Sequence, residues 1–322
     1  MESNLDLVKI CENAKRILVT GHIKPDGDCI GSTVATTLFL KKKLPDADVR
    51  LMIENPAPCF MALSGIETVE PDFAGWKEKT DVCIVIDTNA ERIGNAGKFF
   101  KEAATTVNID HHISNSEGSA MINLVDPHAS SASEMIYRLI PKEDLDDEIA
   151  KYIYMGICHD TGVFRFPNTS PETFRAAADL IGYDFDFSDL IEKTYYEKTY
   201  DQMITTSSIV KDARRFCDGK IVFGSVNYKD FTEKKLSPND FDGAINELRI
   251  IKGCELAIFM YPMNESTIKV SLRSIGTVDV SKISERFGGG GHKRAAGFFK
   301  KATEEELLKQ ILDAVKEQTG WE

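Results

Sequence analysis

At 322 residues the chain exceeds one typical hydrophobic core, so two domains are expected. With 42% hydrophobic and 28% charged residues it can bury a core, which excludes a disordered chain. Its formal charge of -12 excludes a protein that grips long nucleic acid through a broad basic surface, so an anionic substrate would need a local cationic site. The seven cysteines (11, 29, 59, 83, 158, 217 and 254) are scattered and never form C-x-x-C, which argues against a disulfide framework and a thiolate zinc site. They read as reduced, small core residues. The opening MESNLDLVKICENAKRILVTGH lacks the basic-then-apolar layout of a signal peptide, and no apolar run approaches the roughly 18 to 20 residues of a membrane span. A cytoplasmic protein with no membrane contact is expected.

In chain order, RILVTGH (16–22) reads as a strand, GSTVATTLFLKKKL (31–44) as a helix and DVRLMIE (48–54) as a second strand. DVCIVIDT (81–88), TTVNIDHH (105–112) and SAMINLVDP (119–127) are further short apolar runs, each ending in polar residues. Such near-continuous Val/Ile runs predict strands buried on both faces of a largely parallel sheet, where ligands bind beyond the carboxyl ends. SASEMIYRLI (131–140) and DDEIAKYIYMGICHDTGVF (146–164) read as helices, and 171–215 as helical with no strand signal, its latter part a connection. KIVFGSVNY (220–228), ELAIFMYP (255–262) and STIKVSLRS (266–274) then mark a smaller α/β domain closed by the helix EEELLKQILDAVKEQ. The expected boundaries are 1–190, a helical linker 191–215, and 216–322.

The polar ends of the first set of strands carry the chemistry. His22-x3-Asp26-x-Asp28 lies on a loop broken by Pro25 and Gly27; alone it could be a capped turn. Asp87 ends a strand, where a lone aspartate is more often a cap. Asp110-His111-His112 ends another; adjacent histidines on an extended chain point to different sides, so one is expected at a metal and the other in a separate role. Asp160 follows His159. Asp26, Asp28, Asp87 and Asp160 could not all ionise in one cleft without strong repulsion, and two divalent cations would neutralise them. Oxygen and imidazole donors suit manganese, magnesium, iron or cobalt, and two such ions could hold the attacking and leaving oxygens of a phosphoryl displacement. The run FGGGGHKRAAG (287–297) is a flexible turn taken alone, but its glycines precede His292, Lys293 and Arg294, donors suited to phosphate. Arg273 could add a phosphate clamp, with a surface ion pair as the alternative.

These residues resemble the DHH phosphoesterase superfamily, in its DHH-DHHA1 branch, and within it the bacterial nanoRNase and pAp-phosphatase group. GHIKPDGDCIGS, VIDT, IDHH and HDTGVF are similar to its N-terminal motifs in order, and GGGGHKRAAG to the signature of its C-terminal domain. The resemblance implies an α/β fold: a mostly parallel N-terminal DHH sheet with helices on both faces, a helical linker, a smaller DHHA1 domain and an active site in the interdomain cleft. It implies that His22, Asp26 and Asp87 hold one Mn2+, and Asp28, Asp87, His111 and Asp160 the other, with Mg2+ or Co2+ as alternatives. His112 would contact the scissile phosphate or leaving group, and Asp110 would orient the neighbouring histidine. Arg273, Gly289, Gly290, Gly291, His292 and Arg294 would bind the substrate, with Ser130 or Ser131 as a further contact. His159 and His128 are assigned no chemistry.

The leading expectation is a manganese-dependent phosphodiesterase that cuts dimers to tetramers of RNA to mononucleotides and also dephosphorylates pAp. The alternative is a hydrolase of pApA or cyclic di-AMP. A family II pyrophosphatase would share the metal motifs but lack the glycine-histidine signature. An inactive nucleotide-binding regulator would be expected to lose ligands, and none is missing. A homodimer is compatible with the sequence, which leaves the oligomeric state open.

Overall fold

The computed structural model describes residues 5–66, 73, 76 and 79–321, with His292 described through its backbone. It divides into two units, Met1–Glu197 and Lys198–Glu322.

The first unit runs α1 (Leu7–Cys11), β1 (Arg16–Thr20), α2 (Gly27–Lys43), β2 (Asp48–Leu51), α3 (Pro58–Met61), β3 (Val82–Ile86), α4 (Gly97–Glu102), β4 (Thr105–Asp110), β5 (Ile122–Val125), α5 (Ala132–Leu139), α6 (Asp147–Asp160), α7 (Pro171–Leu180) and α8 (Phe187–Ile191). Its five strands pair in the order β2-β1-β3-β4-β5, all parallel. Alternation within the apolar runs covers both faces. Ile17, Val19, Ile84 and Ile86 pack into one core with α2, α5 and α6, while Leu18, Met52, Cys83 and Val85 pack into another with Phe99 of α4. The expected doubly covered parallel sheet is therefore present. The chain turns opposite ways after β1 and β3, which opens a crevice at their carboxyl ends.

Helix α2 begins at Gly27, four residues before the expected start at 31, because Asp26 caps it: its Oδ1 accepts from the Asp28 and Cys29 N–H groups at 3.1 Å each. Its middle is buried although polar, since Ser32, Thr33, Thr36 and Thr37 each return a hydroxyl to the carbonyl four residues back. Helix α6 packs closely on α2 and α5 at Gly156, where a Cβ would come within 1.9 Å of Ser133 Oγ and 2.9 Å of Asp28 Oδ1. This approach brings Asp28 and Asp160, on different helices, to one place.

The second unit contains α9 (Tyr200–Lys211), β6 (Arg214–Phe216), β7 (Ile221–Ser225), α10 (Tyr228–Glu233), α11 (Ala244–Arg249), β8 (Leu256–Pro262), β9 (Thr267–Ser274), α12 (Val280–Arg286), β10 (Gly290–His292), β11 (Ala295–Lys301) and α13 (Glu304–Thr319). Its mixed sheet has the order β10-β11-β9-β8-β7-β6. Two expectations are corrected. Residues 214 and 215, at the end of the stretch read as helical, belong to β6, which pairs antiparallel with β7. The glycine run, read as loop, is half strand: Gly290–His292 pair with Ala295–Gly297. Among the described residues no helix is long and apolar enough to cross a membrane.

Candidate active site

The first unit gathers the candidate ligands in one place. His22 Nε2 stands 3.9 Å from Asp26 Oδ1 and 3.6 Å from Asp87 Oδ2. His111 Nε2 stands 3.4 Å from Asp87 Oδ1, 3.9 Å from Asp28 Oδ2 and 3.5 Å from Asp160 Oδ2. Three donor groups emerge within 4.8 Å: His22, Cys29 and Asp87; Asp87, His111 and His112; Asp28, His111 and Asp160. Asp87 and His111 each belong to two of them. The ends of β1, β3, β4 and α6 thus converge as the parallel sheet requires.

Several contacts aim these donors. His22 Nδ1 lies 3.0 Å from the Ile23 carbonyl oxygen, which can only accept, so Nε2 is left facing the cluster. Asp28 is held by the start of α5, accepting from the Ala132 N–H at 2.7 Å and the Ser133 N–H at 2.8 Å. Asp87 takes a left-handed backbone, φ +63°, which a non-glycine residue adopts at a cost and which is concentrated at functional sites. Its Oδ1 is buried without a hydrogen-bond donor.

The electrostatics call for cations. Burial raises the Asp28 carboxyl well above its usual range, and the charges of Asp87 and Asp160 add to this. Burial likewise pushes Asp160 up to about 7, with Asp26 and Asp87 adding and His111 and His112 opposing. Burial opposes charge on His22 and on His111 too, yet both imidazoles are raised: His22 by Cys29, Asp26 and Asp87, and His111 by Asp87, Asp160 and Asp28. Asp87 pays for its burial with these same histidines and is held low. Protonated imidazoles thus stand where positive charge is needed, His111 facing the buried Asp87 Oδ1 at 3.4 Å. Carboxylates and imidazoles in this arrangement fit divalent metal ions.

The two adjacent histidines behave differently from the expectation that they point apart. Strand β4 ends at Asp110, so they lie beyond its alternation; their rings are 4.6 Å apart, and His112 Nδ1 is 3.7 Å from Asp87 Oδ1. His112 is fixed by Asp110, whose Oδ1 lies 2.7 Å from Nδ1 and also accepts the His112 N–H at 3.2 Å. Asp110 is itself buried and held by Asn115, which donates at 2.7 Å to Asp110 Oδ2 and at 2.8 Å to Asn108 Oδ1. Asn108 closes the chain by donating to the carbonyls of Val85 and Thr88, on either side of Asp87.

The remaining candidates take other positions within their own units. Ser131 is not presented to a substrate: it is fully buried as the cap of α5, and its Oγ accepts the Glu134 N–H. His159 packs between Phe60 and Tyr195 and contacts Thr194, and His128 is exposed. In the second unit, strand register sets His292 and Arg273 on either side of Ala295; the His292 side chain lies outside the described residues. Burial and the neighbouring Arg249 lower the pKa of Arg273. Gly291 has φ +140°, and a Cβ there would meet the Ala295 carbonyl oxygen at 2.4 Å; a Cβ at Gly289 would meet that of Gly297 at 2.4 Å. These two glycines let β10 lie against β11, whereas Gly290 has open space around it. The Arg294 guanidinium donates to the Gly276 carbonyl in the loop after β9, and Lys293 is exposed.

Residues 16–157 match the DHH family, N-terminal domain, and residues 218–320 match the DHHA1 domain. A bifunctional oligoribonuclease and PAP phosphatase NrnA of Bacillus subtilis is 30% identical over 300 residues, 91% of this chain and 91% of that one. The chain belongs to the DHH phosphoesterase superfamily, in its DHH-DHHA1 branch. The Thermus thermophilus protein of the same name is 28% identical over 306 residues, covering 94% and 90% of the two chains. A crystal structure of an exopolyphosphatase-related protein from Bacteroides fragilis superposes with a TM-score of 0.86 at 25% identity, over 96% of this chain and 94% of the other.

Sequence reading missed several contributors to this DHH-DHHA1 chain. Asn108 interrupts an otherwise β-branched strand, a signal that could have been noticed, whereas Asn115 in HISNSEGS looks like any loop asparagine. Cys29, like the other scattered cysteines, reads as core from the sequence. Arg249, at the end of α11, becomes Arg273's cationic neighbour only through the fold.

Proposed function

We propose that this DHH phosphoesterase hydrolyses oligoribonucleotides a few nucleotides long to mononucleotides and also removes the 3'-phosphate of pAp, with two manganese ions. The observation that carries the reading is that Asp87 belongs to two adjoining donor groups, with Oδ2 toward His22 and Oδ1 toward His111, which suits a pair of ions rather than one. The names and near full-length match of the NrnA relatives support the substrate class. His22, Asp26 and Asp87 would hold one ion, and Asp28, Asp87, His111 and Asp160 the other. When bound, such ions polarise the phosphoryl group and offset the charge that develops on it.

The chain's own residues supply the rest. Asp110, an acceptor when ionised, keeps the His112 proton on Nδ1 in the neutral ring, and His112 Nε2 is then the atom that exchanges a proton with the oxygens around the phosphate. Arg273 and the backbone N–H groups of Gly290 and Gly291 are the proposed partners of the substrate's terminal phosphate, with His292 beside them in register. The test is side-by-side hydrolysis of pAp, pApA, cyclic di-AMP and an RNA length ladder by the manganese-loaded protein. Mononucleotide release from dimers to tetramers, with phosphate release from pAp, supports the proposal. Turnover confined to cyclic di-AMP, or none at all, overturns it.

A further inference from the structure

The donor group at the His22 end of the cluster contains a sulfur. Cys29 offers its Sγ within 4.8 Å of ligand atoms of both His22 and Asp87. The residue sits in the first turn of α2, its N–H bound to Asp26 Oδ1 at 3.1 Å, so the capped helix sets the direction of its side chain. It is fully buried. Space for the sulfur depends on the residue at the end of β1: a Cβ on Gly21 would lie 2.2 Å from Cys29 Sγ. A second observation is independent of the thiol. Asp87, in the same group, is buried and turns its Oδ2 toward His22 Nε2 at 3.6 Å, while its Oδ1 faces His111. None of the other six cysteines enters a donor group among the described residues.

We propose that Cys29 is itself a metal ligand, and that its sulfur raises the affinity of the His22 end of the centre for softer ions such as Co2+ and Zn2+ above what the oxygen and imidazole donors alone would give. Oxygen and imidazole donors alone discriminate weakly among divalent ions, whereas a thiolate favours the softer ones. On ligation the S–H bond breaks, the proton leaves to solvent, and the electron pair of sulfur binds the ion. The inference rests on reading the cluster as a divalent-metal centre and departs from the view of Cys29 as a mere core residue.

The test titrates metal-free protein with cobalt chloride and follows the near-ultraviolet band of sulfur-to-cobalt charge transfer. The unaltered chain should develop the band on binding Co2+, while Cys29→Ser and Cys29→Ala should not. Their Co2+ and Zn2+ affinities should fall by at least about tenfold, with Mg2+ affinity changing far less. The band is read on the unaltered chain, so a variant that folds poorly leaves the test standing. Co2+ binding without the band, or a band that persists in both variants, sinks the ligand assignment and leaves the metal centre intact. Failure to take up any divalent ion sinks both.

Discussion

Replacing Asn115 by alanine probes a residue whose side-chain hydrogen bonds go to Asn108 and Asp110 and to none of the proposed metal ligands. Its amide donates to Asn108 Oδ1 at 2.8 Å and to the buried Asp110 carboxylate at 2.7 Å. The neutral bond is worth about 0.5–1.5 kcal/mol and the one to the carboxylate about 1.5–3 kcal/mol. Asn108 Oδ1 keeps the Ser119 N–H at 3.2 Å and the Ser119 hydroxyl at 3.1 Å, so the first loss falls at the low end. Asn115→Ala should therefore destabilise the first unit by about 2–4 kcal/mol, roughly 4–16 °C in Tm for a unit of this size. The same change frees Asp110, and with it the His112 ring that Asp110 grips at 2.7 Å. A loosened proton carrier should lower kcat by roughly tenfold to a hundredfold while KM and bound metal stay nearly constant. Thermal unfolding of metal-free protein, steady-state kinetics and metal analysis check this. An unchanged Tm with unchanged kcat would refute the network's role, and lost metal would assign Asn115 to the ligand set instead.

Other outcomes follow from the same geometry. Asp160 has a pKa of about 7 in the folded chain against 3.8 ordinarily, so ionising it costs stability as pH rises across that interval. The raised pKa values of His22, His111 and His112 act in the same direction: their stabilising charge is full below 6.5 and is lost as pH rises through the raised values. Asp87, held low, contributes above 3.8 and fails only in acid. Metal-free protein should therefore lose Tm between about pH 5 and pH 8, and added metal should stabilise it most at the alkaline end; a rising Tm would contradict this. Arg273→Ala should lower kcat/KM for nucleotide substrates with metal content unchanged, and metal loss would overturn its assignment. Given the charge of -12, dimers to tetramers should be cleaved faster than 20-mers, with a log-log salt slope of only about -1.4 to -2.1 for roughly two or three phosphate contacts. A preference for 20-mers would reveal a basic track.

The first unit was legible because its strands are continuous apolar runs whose polar ends must converge once the sheet is parallel. His22, Asp87 and His111 follow strand ends and needed only that rule to meet, whereas Asp28 and Asp160 lie on helices whose approach at Gly156 brings them in. What escaped depended on side-chain contacts across turns, which residue type and periodicity do not reveal. Asn115 looks like a loop residue until Asn108 and Asp110 meet it, and Cys29 looks like core until Gly21 makes room for its sulfur. Ser131 misled for the opposite reason: a hydroxyl in a polar loop reads as available, but it caps a buried helix. The glycine run hid a strand because glycine has low strand propensity, and only the pairing with Ala295–Gly297 gives Gly290–His292 that form.

Asp87→Ala tests the central claim most directly, because Asp87 belongs to two donor groups and faces His22, His111 and His112. Metal content and turnover of a dinucleotide should be measured on the same folded sample, before and after chelation and metal return. The account predicts that the unaltered protein loses and regains activity with its metal, while Asp87→Ala binds less metal and turns over on the order of a thousandfold more slowly. Full metal content and full activity in Asp87→Ala would contradict it.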